Sequence, residues 1–172
     1  MGKTTDGQRG RFVIQLHDAS QKHYDFRLEV DGVLKSWAVP KGPSTDPAEK
    51  RLAIEVEDHD VDYADFEGVI PEGQYGAGTV MVWDCGRYRS LADKTTMAEG
   101  LENGLVEVWL EGEKLTGGYA LKRIRGGNKP QWLLIKMRDE AADARRNPVS
   151  TEPCSAKSGR SLDEIRQQET SA

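Results

Sequence analysis

The pair Asp31-Gly32 constrains this chain more than any other local feature. It separates His23–Val30 (HYDFRLEV) from Val33–Val39 (VLKSWAV), two runs rich in β-branched and aromatic residues. An Asp-Gly pair between such runs is a strong signal for a two-residue β-hairpin. Runs of the same kind recur at Arg11–Leu16 (RFVIQL), Leu52–Glu57 (LAIEVE), Gly78–Trp83 (GTVMVW), Leu105–Leu110 (LVEVWL), Gly118–Ile124 (GYALKRI) and Gln131–Met137 (QWLLIKM). Gly and Pro punctuate the gaps, as PKGP, PEGQYGAG, EGEKLTGG and RGGNKP. Helix is scarce, with Leu91–Gly100 the best candidate inside the core. About eight short strands at this spacing predict a mainly β, antiparallel sandwich or barrel. A closed barrel would leave a mouth for a ligand.

Composition divides the chain of 172 residues into three regions. Residues 1–10 hold no apolar side chain after Met1 and are expected to form a flexible arm. Residues 11–139 carry nearly all the bulky apolar residues and form the expected domain. Residues 140–172 are small, polar and charged, which predicts disorder. Within them Ser161–Gln168 fits a short helix, with Ser161 as N-cap and Glu164 closing a capping box. No apolar run reaches the roughly 18–20 residues of a membrane span, and the N-terminus lacks the apolar core of a signal peptide. A soluble cytoplasmic monomer is therefore expected. Cys85 and Cys154 are too few for a disulfide framework or a four-thiolate zinc site. The net charge of −5 excludes a uniformly basic nucleic-acid coat, but not a local positive pocket.

All three histidines fall between positions 17 and 59. On a strand over 23–30, side chains alternate faces. His23, Asp25, Arg27 and Glu29 then share one face, and Tyr24, Phe26, Leu28 and Val30 the other. The second set is apolar and belongs to a core. By the same rule the preceding strand puts Gln15 and His17 on one face. A turn between the strands would bring His17 beside His23 or Asp25, giving two imidazoles and a carboxylate within reach of one metal ion. A His-x-Asp on a wet sheet face is also common as a solvated ion pair. A second polar cluster follows in Lys41, Arg51, Glu57, His59 and Tyr63. Guanidinium, ammonium and phenol groups beside a metal suit an oxyanion, phosphate above all. The bland alternative for these cations is a surface ion pair, Arg51 with Glu49 or Lys41 with Asp46. The stretch DFEGVIPEGQYGAGT, with Gly68, Gly73, Gly76 and Gly78, reads as a structured loop with a turn at Pro71. No Gly-Lys-Ser/Thr follows it, so it is not a phosphate-binding loop.

Together, HDASQKHYDFRLEVDGVLKSWAVPKGPS, EDHDVDYADFEGVIPEGQYGAGTVMVWD and WLLIKMRD resemble the 3′-phosphoesterase domain of bacterial DNA ligase D and its stand-alone homologues. The resemblance covers most of residues 11–139. It implies a compact β-barrel with a concave active site and a Mn²⁺-favouring repair nuclease, with Zn²⁺ or Co²⁺ as further metals. Such enzymes remove a 3′-terminal ribonucleotide from a primer strand and then the resulting 3′-phosphate, leaving a 3′-OH. The implied metal ligands are His17, His23 and Asp25. The implied phosphate contacts and other essential residues are Gln15, Arg27, Lys41, Arg51, Glu57, His59 and Tyr63. Arg27 and His59 would hold the scissile phosphate, Lys41 and Arg51 the terminal one, and His59 is the candidate proton donor. A DNA ligase, a repair polymerase and a Ku-type end-binding protein are the implied partners, with the 3′ end of a DNA or RNA-tipped primer-template as substrate. Residues 1–10 offer little counterpart to the long arm of the ligase-embedded domain, and SGRSLDEI resembles the connector that follows it.

Two other readings fit the residues. His23, Asp25 and a distant His59 match a two-His-one-carboxylate iron site of a β-barrel oxygenase. A non-catalytic barrel that binds DNA ends would use the same cations without turnover.

Overall fold

The computed structural model describes residues 8–170. Its strands are β1 (Arg9–Asp18), β2 (Lys22–Val30), β3 (Val33–Val39), β4 (Lys50–Asp60), β5 (Gly68–Ile70), β6 (Gly78–Ser90), β7 (Leu105–Gly112), β8 (Thr116–Arg125) and β9 (Gln131–Lys136). A 3-10 turn covers Val61–Asp65, and three short helices are α1 (Met97–Asn103), α2 (Pro148–Thr151) and α3 (Leu162–Thr170). The sheet order is β1-β2-β3-β4-β9-β8-β7-β6-β5, and a β1–β6 pairing closes eight of the strands into an antiparallel barrel. The second edge of β6 is divided: Gly86–Ser90 bond β7, while Gly78–Val80 bond the short β5. Three residues between two turn-rich segments were too few to read as a strand in the sequence.

The hairpin at Asp31-Gly32 forms as expected. Val30 pairs with Val33, and the two turn residues take φ of 52° and 85°. A turn with both central residues left-handed matches the twist of the flanking strands. Alternation then fills the barrel. Phe12, Ile14 and Leu16 of β1 and Tyr24, Phe26, Leu28 and Val30 of β2 join Trp37, Trp83, Trp132 and Leu134 in one buried core. Trp37 and Trp132 meet edge to face at 5.7 Å. The interior is thus packed with side chains, and the candidate site lies on the outer face of the wall rather than in a barrel mouth. That outer face has its own small apolar cluster of Val13, Leu34, Ala64 and Val82, capped by Tyr63 of the 3-10 turn.

One irregularity matters for function. Ser36 pairs with Val56 but Leu34 pairs with His59, so β4 carries one extra residue between these pairs. Counting by twos from the core residue Ala53 would send His59 inward. The bulge reverses the parity and turns His59 to the outer face.

Three expectations are corrected. The helix expected over 91–100 begins later, because Leu91 N–H is tied to the Glu107 carbonyl. Thr96 is the N-cap, with Glu99 completing a capping box, and Gly104 ends the helix at φ 89°. Residues 1–7 of the expected arm lie outside the described residues, and Arg9 and Gly10 already belong to β1. Residues 140–170, expected to be disordered, fold against the barrel. Ile165 is fully buried, Trp83 Nε1–H donates to the Glu152 carbonyl, and Ser161 and Glu164 form the capping box of α3. Apolar contacts from Val149, Leu162 and Ile165 and many polar ties hold this segment, which composition alone does not reveal. Among the described residues, no helix is long and apolar enough to cross a membrane.

The strap centres on Glu67. Its carboxylate accepts from Val82 N–H at 2.8 Å, Ser155 Oγ at 2.6 Å and Ser158 Oγ, and pairs with Arg160 at 3.2 Å. Burial works against its charge, but these donors outweigh burial and hold its pKa below the ordinary value. A depressed folded-state pKa gives stability that is present above the unfolded value, about 4.3, and lost as pH falls. Amide-exchange protection over residues 155–165 should therefore weaken as pH drops below about 4, and Glu67→Gln should flatten that dependence. Ile165→Ala should cost about 2–5 kcal/mol in denaturant unfolding.

Candidate metal centre and phosphate pocket

The β1–β2 register builds the centre. His17 lies directly opposite His23, and Gln15 opposite Asp25. Ligand atoms of His17, His23 and Asp25 all lie within 4.8 Å of one another. His17 Nδ1 is 3.7 Å and His23 Nε2 3.2 Å from the Asp25 carboxylate. The remaining ring nitrogens face carbonyls. His17 Nε2 is 2.8 Å from Gly76 O and 3.2 Å from Ala77 O, and His23 Nδ1 is 3.0 Å from Gln21 O. A carbonyl can only accept, so these nitrogens carry the protons. With those protons fixed by carbonyls, His17 Nδ1 and His23 Nε2 are the nitrogens that donate to Asp25 while protonated and become lone-pair ligands once an ion displaces that proton, the arrangement that metal-binding histidines use. The donor set therefore fits a divalent cation. His59 is not part of this group, so the oxygenase set of His23, Asp25 and His59 does not form.

Arg27 floors the site. It is 3% exposed and spans four strands. Nε–H donates to Gln15 Oε1 at 2.7 Å, Nη1–H to Ser36 Oγ at 2.8 Å and to His59 Nδ1 at 3.1 Å, and Nη2–H to Asp25 Oδ2 at 3.3 Å. A guanidinium has five N–H groups, so one Nη2–H is left for a ligand. Gln15 is itself held, its amide donating to the carbonyls of Tyr63 and Phe66. Burial acts against ionisation of Asp25, but hydrogen bonds from His17 and His23 and the charge of Arg27 outweigh it and hold the carboxyl far below the usual range. The hydrogen bond to Asp25 raises His23, against the effect of burial. Burial and the charge of Arg27 both lower His59, and burial raises Tyr63. His59 Nδ1 lies 3.1 Å from both Arg27 Nη1 and the Glu57 carbonyl, so it accepts from Arg27 when it carries a lone pair, with Nε2 as the N–H, and donates to Glu57 when it carries the proton.

The pocket, about 380 Å³, is lined by the triad, Arg27, His59 and Tyr63, with Ala38, Val56, Ile70, Tyr75 and Gly76. Tyr63 sits under Phe66 at 5.3 Å and against His59 at 4.8 Å. Lys41, Arg51 and Glu57 do not line this pocket. Arg51 donates to the Lys41 carbonyl at 3.4 Å and pairs with Glu49 at 3.3 Å, the ion pair weighed from sequence. Its Nε is buried without a partner among the described residues. Glu57 meets the site through its carbonyl, 3.1 Å from His59 Nδ1.

Two contributors were missed from sequence. Ser36 was derivable: a two-residue turn pairing Val30 with Val33 puts Ser36 directly opposite Arg27. The expectation for residues 65–79 is a structural loop and nothing more. Gly73, Gly76 and Gly78 do take positive φ, but Gly76 O and Ala77 O also fix the His17 tautomer.

Residues 15–123 match the family model of the DNA ligase D 3′-phosphoesterase domain. The multifunctional non-homologous end joining protein LigD of Pseudomonas aeruginosa is 58% identical over 133 residues, 77% of this chain and 16% of that protein. The protein of that name from Mycolicibacterium smegmatis is 46% identical over 139 residues, 78% of this chain and 18% of the relative. The multifunctional non-homologous end joining DNA repair protein LigD of Mycobacterium tuberculosis is 45% identical over 138 residues, 80% of this chain and 17% of the relative. The chain thus spans less than a fifth of the length of each.

Calorimetric titration with Mn²⁺ should show one site that His17→Ala, His23→Ala or Asp25→Ala weakens more than tenfold. Because a proton on His23 competes with the ion and Asp25 raises its pKa, affinity should climb with pH and level off above that pKa.

Proposed function

The chain belongs to the family of DNA ligase D 3′-phosphoesterase domains, and on that premise we propose that it is a metal-dependent hydrolase that heals 3′ ends in DNA repair. Its reaction is hydrolysis of a phosphodiester that removes a 3′-terminal ribonucleotide, followed by hydrolysis of the remaining 3′-phosphate to give a 3′-OH. The observation that carries this reading is the pairing of a tautomer-fixed His17–His23–Asp25 set with a buried guanidinium that keeps one N–H unspent. Cations and a three-donor metal set on one wall suit a phosphate ester better than a carboxylate co-substrate.

His17 Nδ1, His23 Nε2 and an Asp25 oxygen would hold the ion, taken here as Mn²⁺ with Zn²⁺ or Co²⁺ as substitutes. When bound, it would polarise a phosphoryl oxygen and lower the pKa of water. Everything else falls to the side chains. The free Nη2–H of Arg27 grips a non-bridging oxygen and neutralises charge that grows during displacement. Gln15, Ser36 and Asp25 hold the guanidinium so that this N–H has one direction. The Nε2–H of His59 and the phenol of Tyr63, kept protonated by burial, donate to the remaining oxygens. An incoming phosphate raises the pKa of His59. Protonated at Nδ1, the ring exchanges its bond from Arg27 for one to the Glu57 carbonyl, and Nε2 becomes the acid that protonates the leaving oxygen. Lys41 and Arg51 lie outside this pocket, and in this reading they contribute positive charge toward the doubly charged terminal phosphate from a distance. A 3′ primer-template end is the substrate in this reading, and a ligase, a polymerase and a Ku-type protein are its partners.

A gel assay on primer-templates ending in one ribonucleotide or in a 3′-phosphate, with and without Mn²⁺, tests this directly. Product should appear only with metal, and a barrel that merely binds ends would give none. His17→Ala, His23→Ala and Asp25→Ala should each abolish both steps. Arg27→Lys should fold but lose about 10²-fold or more in kcat, because a point charge cannot keep four partners and a free donor. Arg51→Ala should slow phosphate removal more than ribonucleotide removal; an equal loss with a matching fall in Tm would mark it as a structural ion pair.

A further inference from the structure

We propose that Tyr75 is a stacking platform for the base of the terminal nucleoside, a positioning residue that serves any base. This rests on the phosphoesterase reading and deepens it. Tyr75 is 78% exposed, the most exposed large apolar side chain among the described residues. It is no loose surface ring, because it lines the same pocket as the triad and Arg27. Its loop is pinned on both sides. Gln74 N–H closes a turn on Pro71 O at 3.2 Å, and Ala77 N–H closes another on Gln74 O at 3.1 Å. The next two carbonyls, Gly76 and Ala77, are bonded to His17 Nε2. The loop that orients a metal-binding ring therefore also fixes the start of this side chain.

The chemistry of the pocket explains why a ring belongs there. The charged and polar donors, Arg27, His59 and Tyr63, are held inside by one another. A phosphate bound to them carries a nucleoside that must extend toward the rim. Ile70, Ala38 and Val56 line the same pocket and suit a sugar, but none offers a flat face. Tyr75 does. Every base has a π face, so stacking on one aromatic ring holds a strand end without reading its sequence. An enzyme that meets whatever base a break has left needs that tolerance.

The test uses the whole chain with Tyr75→Ala and Tyr75→Phe. Because the side chain is largely exposed, both variants should keep the wild-type Tm. On primers ending in a 3′-phosphate, Tyr75→Ala should raise KM by about 5- to 150-fold, the range for one lost stacked base, with little change in kcat. Tyr75→Phe should behave as wild type, and the loss should be similar for all four bases. On a primer whose terminal nucleoside lacks its base, Tyr75→Ala and wild type should coincide. An equal loss on the base-free primer, or a Tyr75→Phe defect as large as that of Tyr75→Ala, overturns the stacking role. A second measurement stands apart from catalysis: a fluorescent base analogue at the 3′ terminus should be quenched on binding by wild type and Tyr75→Phe but not by Tyr75→Ala. Quenching without turnover would sink the phosphoesterase reading and leave the platform standing. Turnover with identical quenching by all three proteins would sink the platform alone.

Discussion

The buried guanidinium of Arg27 is the interaction on which the rest of the site depends. It joins β1 through Gln15, its own strand through Asp25, β3 through Ser36 and β4 through His59. Burying a cation costs several kcal/mol, and that cost is offset only when its partners are well aligned. Here alignment is enforced by the sheet, since Ser36 is the direct cross-strand neighbour of Arg27. Removing one partner of a buried ion typically costs about 3–5 kcal/mol, more than replacing the whole set by apolar groups. The polar layer is therefore a source of specificity more than of stability. The apolar barrel behind it supplies the stability.

One charge also divides the protonation states. Arg27 favours the ionised form of Asp25 and the neutral form of His59. Asp25 in turn raises His23. Groups crowded on the outer wall thus hold different proton inventories at one pH, as a site needs when some groups must be ligands and another a donor. Tyr63 links the two halves, lying 5.1 Å from the Arg27 guanidinium and against His59.

Much of this was legible in the sequence because it depends on counting by twos. The alternation of HYDFRLEV separates Tyr24, Phe26, Leu28 and Val30 in the core from His23, Asp25 and Arg27 outside, and the Asp31-Gly32 turn fixes the neighbour on β3. The capping box at Ser161 was equally local. What could not be read is non-local. The bulge in β4 appears only when the strand meets β3. The carbonyls of Gly76 and Ala77 reach His17 across about sixty positions of chain, 59 and 60 residues away. The ordering of residues 140–170 rests on a few specific ties, such as Glu67 to Ser155 and Arg160, within a segment whose average composition is that of a disordered tail.

The bulge in β4 also sets which kinds of change the gene can absorb. A side-chain replacement at Glu57 leaves its carbonyl contact with His59 in place, and one at Asp58 removes only an exposed pair with Lys35. Gaining a single codon there is different in kind. With the one bulge kept, the residue before His59 would take the place opposite Leu34, and the imidazole would turn through the wall toward the core. At this place the length of the chain is under tighter restraint than its spelling.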